Sequence, residues 1–229
     1  MSASETTAEQ FGPVRLLLER LADEGQALDA VAEALAREGA GQLDEARLEE
    51  LCPYFGSLWP SARALAAAVA HLGPAGLTGR RVLELGCGLA APGLVASLLG
   101  AEVLATDYHP GVPGLLARNA ALNAASRLRY QALDLRREDA VPRGFDLVLA
   151  ADVTYVPDLP PLVARAVVRA LGPGGRALVT DPGRPYLQGF VDLLRAHGLR
   201  CEVDVRAVVD PGFAPPRARE VFLLELSRD

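Results

Sequence analysis

The stretch Arg81-Val-Leu-Glu-Leu-Gly-Cys-Gly-Leu-Ala-Ala-Pro-Gly93 constrains this chain more than any other. Val82, Leu83 and Leu85 read as a short buried strand, Gly86 and Gly88 as the tight turn that ends it, and residues 94–99 as the helix that follows. Glycine is needed where a backbone must turn sharply and approach a ligand with no Cβ in the way. Strand, glycine turn and helix start form the first crevice of a nucleotide-binding α/β sheet, and few other folds accommodate them in that order.

The spacing alone leaves the ligand open, because Gly86-x-Gly88-x-x-Ala91 also satisfies the dinucleotide fingerprint in its G-x-G-x-x-A form. Glu84 shifts the reading. A carboxylate two residues before the first glycine suits a cationic ligand better than a pyrophosphate. It can accept hydrogen bonds from an amino-acid ammonium group, or lie under a loop of backbone N–H groups. S-adenosylmethionine carries an ammonium and a sulfonium and has no phosphate. Pro92 and Gly93 are expected to interrupt the helix start that a pyrophosphate would use as its anion site.

Downstream the pattern continues as strand and helix in alternation. Residues 102–107 read as the second strand, ending in Asp107 about twenty residues past the glycine turn, where an acidic side chain accepts hydrogen bonds from ribose hydroxyls. Tyr108 can lie against an adenine, and His109 reads as a loop residue. A helix over 112–124 and a third strand over 128–133 follow, the strand ending in Asp134-Leu135, where a carboxylate can take an adenine amino group. The run Asp146-Leu-Val-Leu-Ala-Ala-Asp-Val-Thr-Tyr155 is the fourth strand and its exit. It places Asp152 at the carboxyl edge beside the glycine turn, either to meet a ligand or to cap nearby N–H groups. A helix over 162–171, a turn at Gly172-Pro-Gly-Gly175, a fifth strand over 176–180 and a helix over 187–197 come next. Residues 201–209 and 219–226 then read as consecutive strands joined by a proline-rich stretch. With no helix between them they form an antiparallel pair closing the sheet, where a nicotinamide-binding domain would continue β-α-β.

Upstream, residues 1–11 read as disordered. Pro13 suits a helix start, and Val14, Leu17, Leu18 and Leu21 give that helix an apolar face. Two further helices are expected over 26–38 and 43–51. Residues 1–52 are thus read as a helical appendage, serving either as a packing extension or as a lid or docking surface. Pro53-Tyr-Phe-Gly-Ser-Leu-Trp-Pro60 and an apolar helix over 62–72 lead into the first strand. Trp59, the single tryptophan, is either a core residue or a plate over the ligand.

Composition narrows the partners. The net charge of −6 argues against a nucleic-acid footprint, which needs a basic face. All 23 basic side chains are arginine. The three cysteines, Cys52, Cys87 and Cys201, are far apart, with no metal-ligand spacing and no disulfide framework. No metal site is therefore expected. The first ten residues lack the pattern of a signal peptide, and the longest uncharged run is broken by glycines and a proline, so no membrane span is expected. The expected compartment is a reducing cytoplasm.

With these residues in view, the chain from about Pro53 onward resembles the class I, seven-β-strand methyltransferases, and most closely their protein lysine methyltransferases. The resemblance rests on Trp59-Pro60, on Glu84-Leu-Gly-Cys-Gly88 with Pro92-Gly93, and on Asp152-Val-Thr-Tyr155, which fits the D-x-x-Y/F pattern of those enzymes. Pro53-Tyr-Phe and Asp181-Pro-Gly-Arg184 further resemble the branch acting on the electron-transfer flavoprotein β-subunit. The resemblance implies an α/β, Rossmann-like mixed sheet of order 3-2-1-4-5-7-6 with strand 7 antiparallel, over residues 53–229. It implies S-adenosylmethionine as cofactor, with Trp59, Glu84, Gly86, Cys87, Gly88, Asp107, Tyr108, Asp134 and Leu135 around it. Asp152, Tyr155 and Arg184 would face a lysine-bearing protein substrate. A carboxylate beside an ammonium favours the charged form, so Asp152 is expected to position the amine first and accept a proton second. A small-molecule N-methyltransferase and a non-catalytic cofactor-binding scaffold are the competing readings on the same sheet.

Overall fold

Seven strands make one mixed sheet: β3 (Arg81–Leu85), β4 (Glu102–Asp107), β5 (Leu128–Ala132), β6 (Phe145–Ala151), β7 (Leu171–Asp181), β8 (Leu199–Asp210) and β9 (Arg217–Arg228). In this computed structural model the described residues are 3–23, 25, 29, 52–210 and 217–228. The sheet order is β5-β4-β3-β6-β7-β9-β8, the order implied above once the strands are counted from β3. The first five strands pair in parallel, and β9 runs antiparallel to both β7 and β8. β3 and β6 are buried along almost their whole length, which explains their near-continuous apolar sequences.

The helices are α1 (Pro60–Leu77), α2 (Ala91–Leu98), α3 (Val112–Leu122), α4 (Leu159–Ala170) and α5 (Leu187–Ala196). α1 and α2 pack with Val82, Leu147 and Leu149 on one face, and α4 and α5 with Leu83, Leu85 and Val148 on the other. α2 begins at Ala91, so Pro92 and Gly93 open the helix rather than interrupt it. Proline fits a first turn because the N–H it lacks has no intrahelical partner there. The glycine-rich turn at Gly172–Gly175 is absorbed into β7 as an irregularity. The register there jumps from Phe145↔Leu171 to Leu147↔Arg176, and Gly174 has φ +67°. Among the described residues no helix is long and apolar enough to cross a membrane.

The N-terminal expectation is overturned. Residues 4–21 are not a disordered tail and a helix but an antiparallel hairpin, β1 (Ser4–Phe11) and β2 (Val14–Leu21). The segment Val-Arg-Leu-Leu-Leu-Glu-Arg-Leu satisfies both a helical and a two-residue period. Val14, Leu16 and Leu18 are its buried side chains, which is the strand solution. Gly12 supplies the positive φ (+53°) that a two-residue hairpin turn needs at its first position. The other two helices expected in this segment, over 26–38 and 43–51, lie outside the described residues except for Asp29.

The hairpin belongs to the core of the α/β unit, with Leu16 and Leu18 fully buried in the cluster of α1 and α2. Strand β2 is pinned by two carboxamides four residues apart, Asn119 on α3 and Asn123 at its C-terminal cap. Asn123 accepts the Leu17 N–H (2.8 Å) and donates to the Leu17 carbonyl (2.7 Å). Asn119 does the same for Glu19, at 2.7 and 3.0 Å. The two side chains therefore stand in for a third strand along β2. Asn119 is wholly buried, so Asn119→Ala strands a donor and an acceptor and is expected to cost about 1–3 kcal/mol of stability per unpaired group. Urea denaturation of the variant checks this; a loss within error of zero would mean the carboxamide pairing contributes nothing.

Candidate functional site

The chain leaves β3 toward β4 on one side and returns to β6 on the other. The crevice at this point of reversal has a volume of about 1090 Å³ and lies over the carboxyl ends of the strands. All twelve residues singled out from the sequence line it: Trp59, Glu84, Gly86, Cys87, Gly88, Asp107, Tyr108, Asp134, Leu135, Asp152, Tyr155 and Arg184.

Its floor is the glycine turn. Gly86 and Gly88 have φ of +60° and +49°, a region that disfavours a side chain. A Cβ on Gly86 would sit 2.9 Å from Val153 Cγ1, and one on Gly88 would sit 3.1 Å from the Phe55 carbonyl. Cys87 between them packs with Ala90, Ala105, Val112 and Leu116, and burial pushes its thiol well above the usual range, so it stays protonated. The Gly88 N–H donates to Asp107 Oδ2 and the His109 N–H to Asp107 Oδ1, both at 3.0 Å. Burial raises the pKa of Asp107 while these two N–H groups oppose the shift.

Of the two roles left open for Glu84, the structure shows the second. Glu84 is 2% exposed, and its Oε2 accepts the Gly93 N–H at 3.0 Å. The chain's own carboxylate thus takes up an N–H at the start of α2, where a pyrophosphate would otherwise bind. Gly93 has to be glycine, since a Cβ there would lie 2.4 Å from Glu84 Oε2. Burial, reinforced by the nearby Asp107 charge and opposed by the Gly93 hydrogen bond, lifts Glu84 to about 8.

A folded-state value raised above the ordinary 4.5 means that stability is fullest below 4.5 and is lost as pH rises toward about 8. Glu84→Gln keeps an acceptor for Gly93 and removes the titration. Melting temperatures of the two unliganded proteins across this range are expected to fall more steeply for wild type than for the variant. Parallel curves would show that Glu84 does not titrate there.

The segment before α1 forms an aromatic wall. The Trp59 indole N–H donates to the Tyr54 carbonyl at 2.9 Å. Tyr54 meets Trp59 edge-on at 6.0 Å and Tyr155 edge-on at 6.1 Å. Trp59 is half-buried and lines the crevice. Phe55 lies against the His109 ring at 4.3 Å and closes over the glycine turn. His109 Nδ1 accepts the Gly111 N–H, the loop role expected of it. Tyr108 is 41% exposed at the rim. Asp134 is engaged from its own loop: Arg136 donates through Nε to both carboxylate oxygens (2.9 and 3.0 Å) and holds the carboxyl below its usual range.

The far side of the crevice carries an ion pair. Asp152 ends β6 in the left-handed region at φ +53°, which aspartate tolerates better than most residues. Its N–H donates to the Thr180 carbonyl at 2.8 Å. Arg184 grips its carboxylate with a two-pronged fork, Nε to Oδ1 at 2.8 Å and Nη2 to Oδ2 at 2.9 Å. Asp181, only 1% exposed, holds the loop from beneath. Its Oδ1 accepts the Gly183 and Arg184 N–H groups at 2.7 and 2.6 Å, and its Oδ2 accepts the Thr154 hydroxyl.

A family model described as lysine methyltransferase matches residues 49–181, more than half of the chain. The chain belongs to this lysine methyltransferase family. The electron transfer flavoprotein beta subunit lysine methyltransferase of Xenopus laevis is 33% identical over 134 residues, covering 58% of this chain and 53% of that protein. A protein N-terminal and lysine N-methyltransferase of Eremothecium gossypii is 33% identical over 204 residues, covering 76% of each. The chain spans about half the length of the first curated relatives it matches. Among solved structures, a T. thermophilus 16S rRNA methyltransferase in complex with AdoMet and guanosine superposes with a TM-score of 0.64 at 20% identity, covering all of this chain and 52% of that one, a likeness of fold.

Within this lysine methyltransferase domain the matched segment contains Trp59, the glycine turn, Asp107, Asp134, Asp152 and Tyr155 but ends before Arg184. Sequence reasoning assigned no site role to Tyr54, Phe55, Arg136 or Asp181. Asp181 carried a usable signal, because aspartate before Pro-Gly commonly accepts backbone N–H groups in the turn that follows. Phe55 stood in the Pro53-Tyr-Phe stretch without a site role, because its partners His109 and Gly88 lie on two separate loops.

Proposed function

We propose that this chain is an S-adenosylmethionine-dependent methyltransferase acting on lysine side chains of a protein. The observation that carries the proposal is the glycine turn on the crevice floor: Gly86 and Gly88 line the crevice with positive φ and no side chain, and Glu84 accepts the N–H at the start of α2. With Glu84 already on the Gly93 N–H, the start of α2 offers a phosphate less than an open helix N-terminus would. Asp107 would accept the ribose hydroxyls beside the Gly88 and His109 N–H groups that hold its two oxygens in place. Trp59, Cys87 and Leu135 would wall the cofactor, with Tyr108 and Asp134 at the adenine end. When bound, S-adenosylmethionine supplies a methyl group that an amine lone pair displaces as the carbon–sulfur bond breaks and its electrons return to sulfur.

Asp152 and Tyr155 line the same crevice, where they would hold the acceptor nitrogen in line with that bond and help exclude water; orientation of this kind supplies several kcal/mol. Residues 53–229 would form the methyltransferase unit, with the β1–β2 hairpin bracing α2 and α3 beneath it. The names of the relatives support a protein substrate, and electron-transfer flavoprotein β-subunit is the first to test. The free cysteines fit a reducing compartment, the cytoplasm.

The chain contains no lysine, so methyl-lysine found after acid hydrolysis of a reaction comes from the substrate. Labelled cofactor, the enzyme and either purified β-subunit or total lysate protein should yield methyl-lysine. Label found only in small molecules would replace lysine by another acceptor. Binding without any transfer would make the chain a scaffold.

A further inference from the structure

Asp152 does not wait at the mouth as a lone carboxylate, because both its oxygens lie in the Arg184 fork and its side chain is 9% exposed. The Arg184 backbone is anchored: the buried Asp181 accepts its N–H and that of Gly183. Four further ionisable groups share the wall, namely Tyr54, Tyr155, Asp158 and Tyr186, with Asp181 behind them. Arg136 and His109 also line the crevice, where Arg136 grips Asp134 and His109 accepts the Gly111 N–H; Arg184 is the basic side chain seen on Asp152.

A lysine amine, with an unperturbed pKa near 10.4, must lose its proton before it can attack. An unpaired carboxylate at the mouth would work against this by stabilising the ammonium. A guanidinium held on that carboxylate cancels its field, and leaves the carboxylate able to accept an N–H of a neutral amine. From this geometry we infer that Arg184 is a positioning residue of the acceptor site, which holds Asp152 in place and neutralises it so that lysine reacts as the free amine. The inference rests on the lysine-methyltransferase reading above. The proton leaves to bulk water before transfer, so no additional base is needed.

Two variants separate charge from hydrogen bonding. Arg184→Gln keeps a donor toward Asp152 and loses the charge, while Arg184→Met loses both. A lysine replacement is avoided because it would itself be a methyl acceptor. Two measurements are made on each protein. The first is the affinity of n-butylammonium, a mimic of the lysine side chain, read by NMR titration at neutral pH. The second is the single-turnover rate of methyl transfer to the β-subunit and to lysate protein as a function of pH.

Both variants are expected to bind n-butylammonium about tenfold more tightly than wild type. They should also transfer methyl groups about tenfold more slowly at neutral pH, with the rising limb displaced by about one unit to higher pH, as one added negative charge at the mouth implies. S-adenosylhomocysteine affinity and melting temperature report that the fold persists. Unchanged n-butylammonium affinity in both variants overturns the inference. So does full rescue by Arg184→Gln, since hydrogen bonding alone would then suffice. A wild type that transfers to no lysine at all overturns the proposed function as well, which is a different result from an active wild type whose variants show no charge effect.

Discussion

Asp107→Ala is expected to lower the affinity for S-adenosylhomocysteine by at least about 100-fold, the largest effect of any single change at the cofactor end. Two losses combine. A pair of hydrogen bonds from ribose hydroxyls to a charged acceptor is worth about 3 kcal/mol or more. The Gly88 and His109 N–H groups, both 3.0 Å from this carboxylate, also lose their acceptor, so the glycine turn and the adjoining loop are no longer held to β4. Asp107→Asn keeps one accepting oxygen and should fall between the variant and wild type. Calorimetry on the folded proteins tests the assignment, and an alanine variant that binds as tightly as wild type removes Asp107 from the cofactor site.

Asp152→Asn is expected to reduce methyl transfer to lysine by about 100-fold while changing cofactor affinity only a few-fold. Asparagine tolerates the left-handed backbone (φ +53°) as aspartate does, so the substitution tests charge rather than fold. It replaces one carboxylate oxygen in the Arg184 fork by an amide N–H₂, which faces a guanidinium donor and cannot accept from it. The fork opens, and the acceptor nitrogen loses the group that aligns it. Interactions that count only when the amine is in line act on the rate and not on cofactor binding. Single-turnover transfer measured beside S-adenosylhomocysteine affinity decides the matter. Near-wild-type transfer would sink the role of Asp152 and weaken the argument for lysine as acceptor.

The crevice was legible because its determinants are local. Gly86 and Gly88 report positive φ directly, since few other residues adopt it cheaply. Asp107 and Asp152 report strand ends, because a buried run in a parallel sheet stops where a carboxylate appears. The two consecutive C-terminal strands without a helix between them likewise announced the antiparallel closure seen at β8 and β9. Helix limits were less legible. Pro92 and Gly93 looked like breakers of α2, yet proline is compatible with a first turn, and Gly93 is there to leave room for Glu84.

What the sequence by itself determined is the α/β class, the place of the crevice at the carboxyl edge and the residue types around it, all of which follow from backbone preferences and from which side chains alternate or run apolar. Only the tertiary structure decided the partners. Residues 14–21 satisfy helix and strand periods alike, and the choice of strand came from Phe11 to Val14 turning back on itself and from Asn119 and Asn123, about a hundred residues away, offering β2 an edge to pair with. Arg184 and Asp152 are likewise separated by 32 residues. The family resemblance puts both near the site but says nothing about a fork between them. Ion pairs and carboxamide contacts of this kind depend on distances that exist only after the sheet has formed, and no local pattern encodes them.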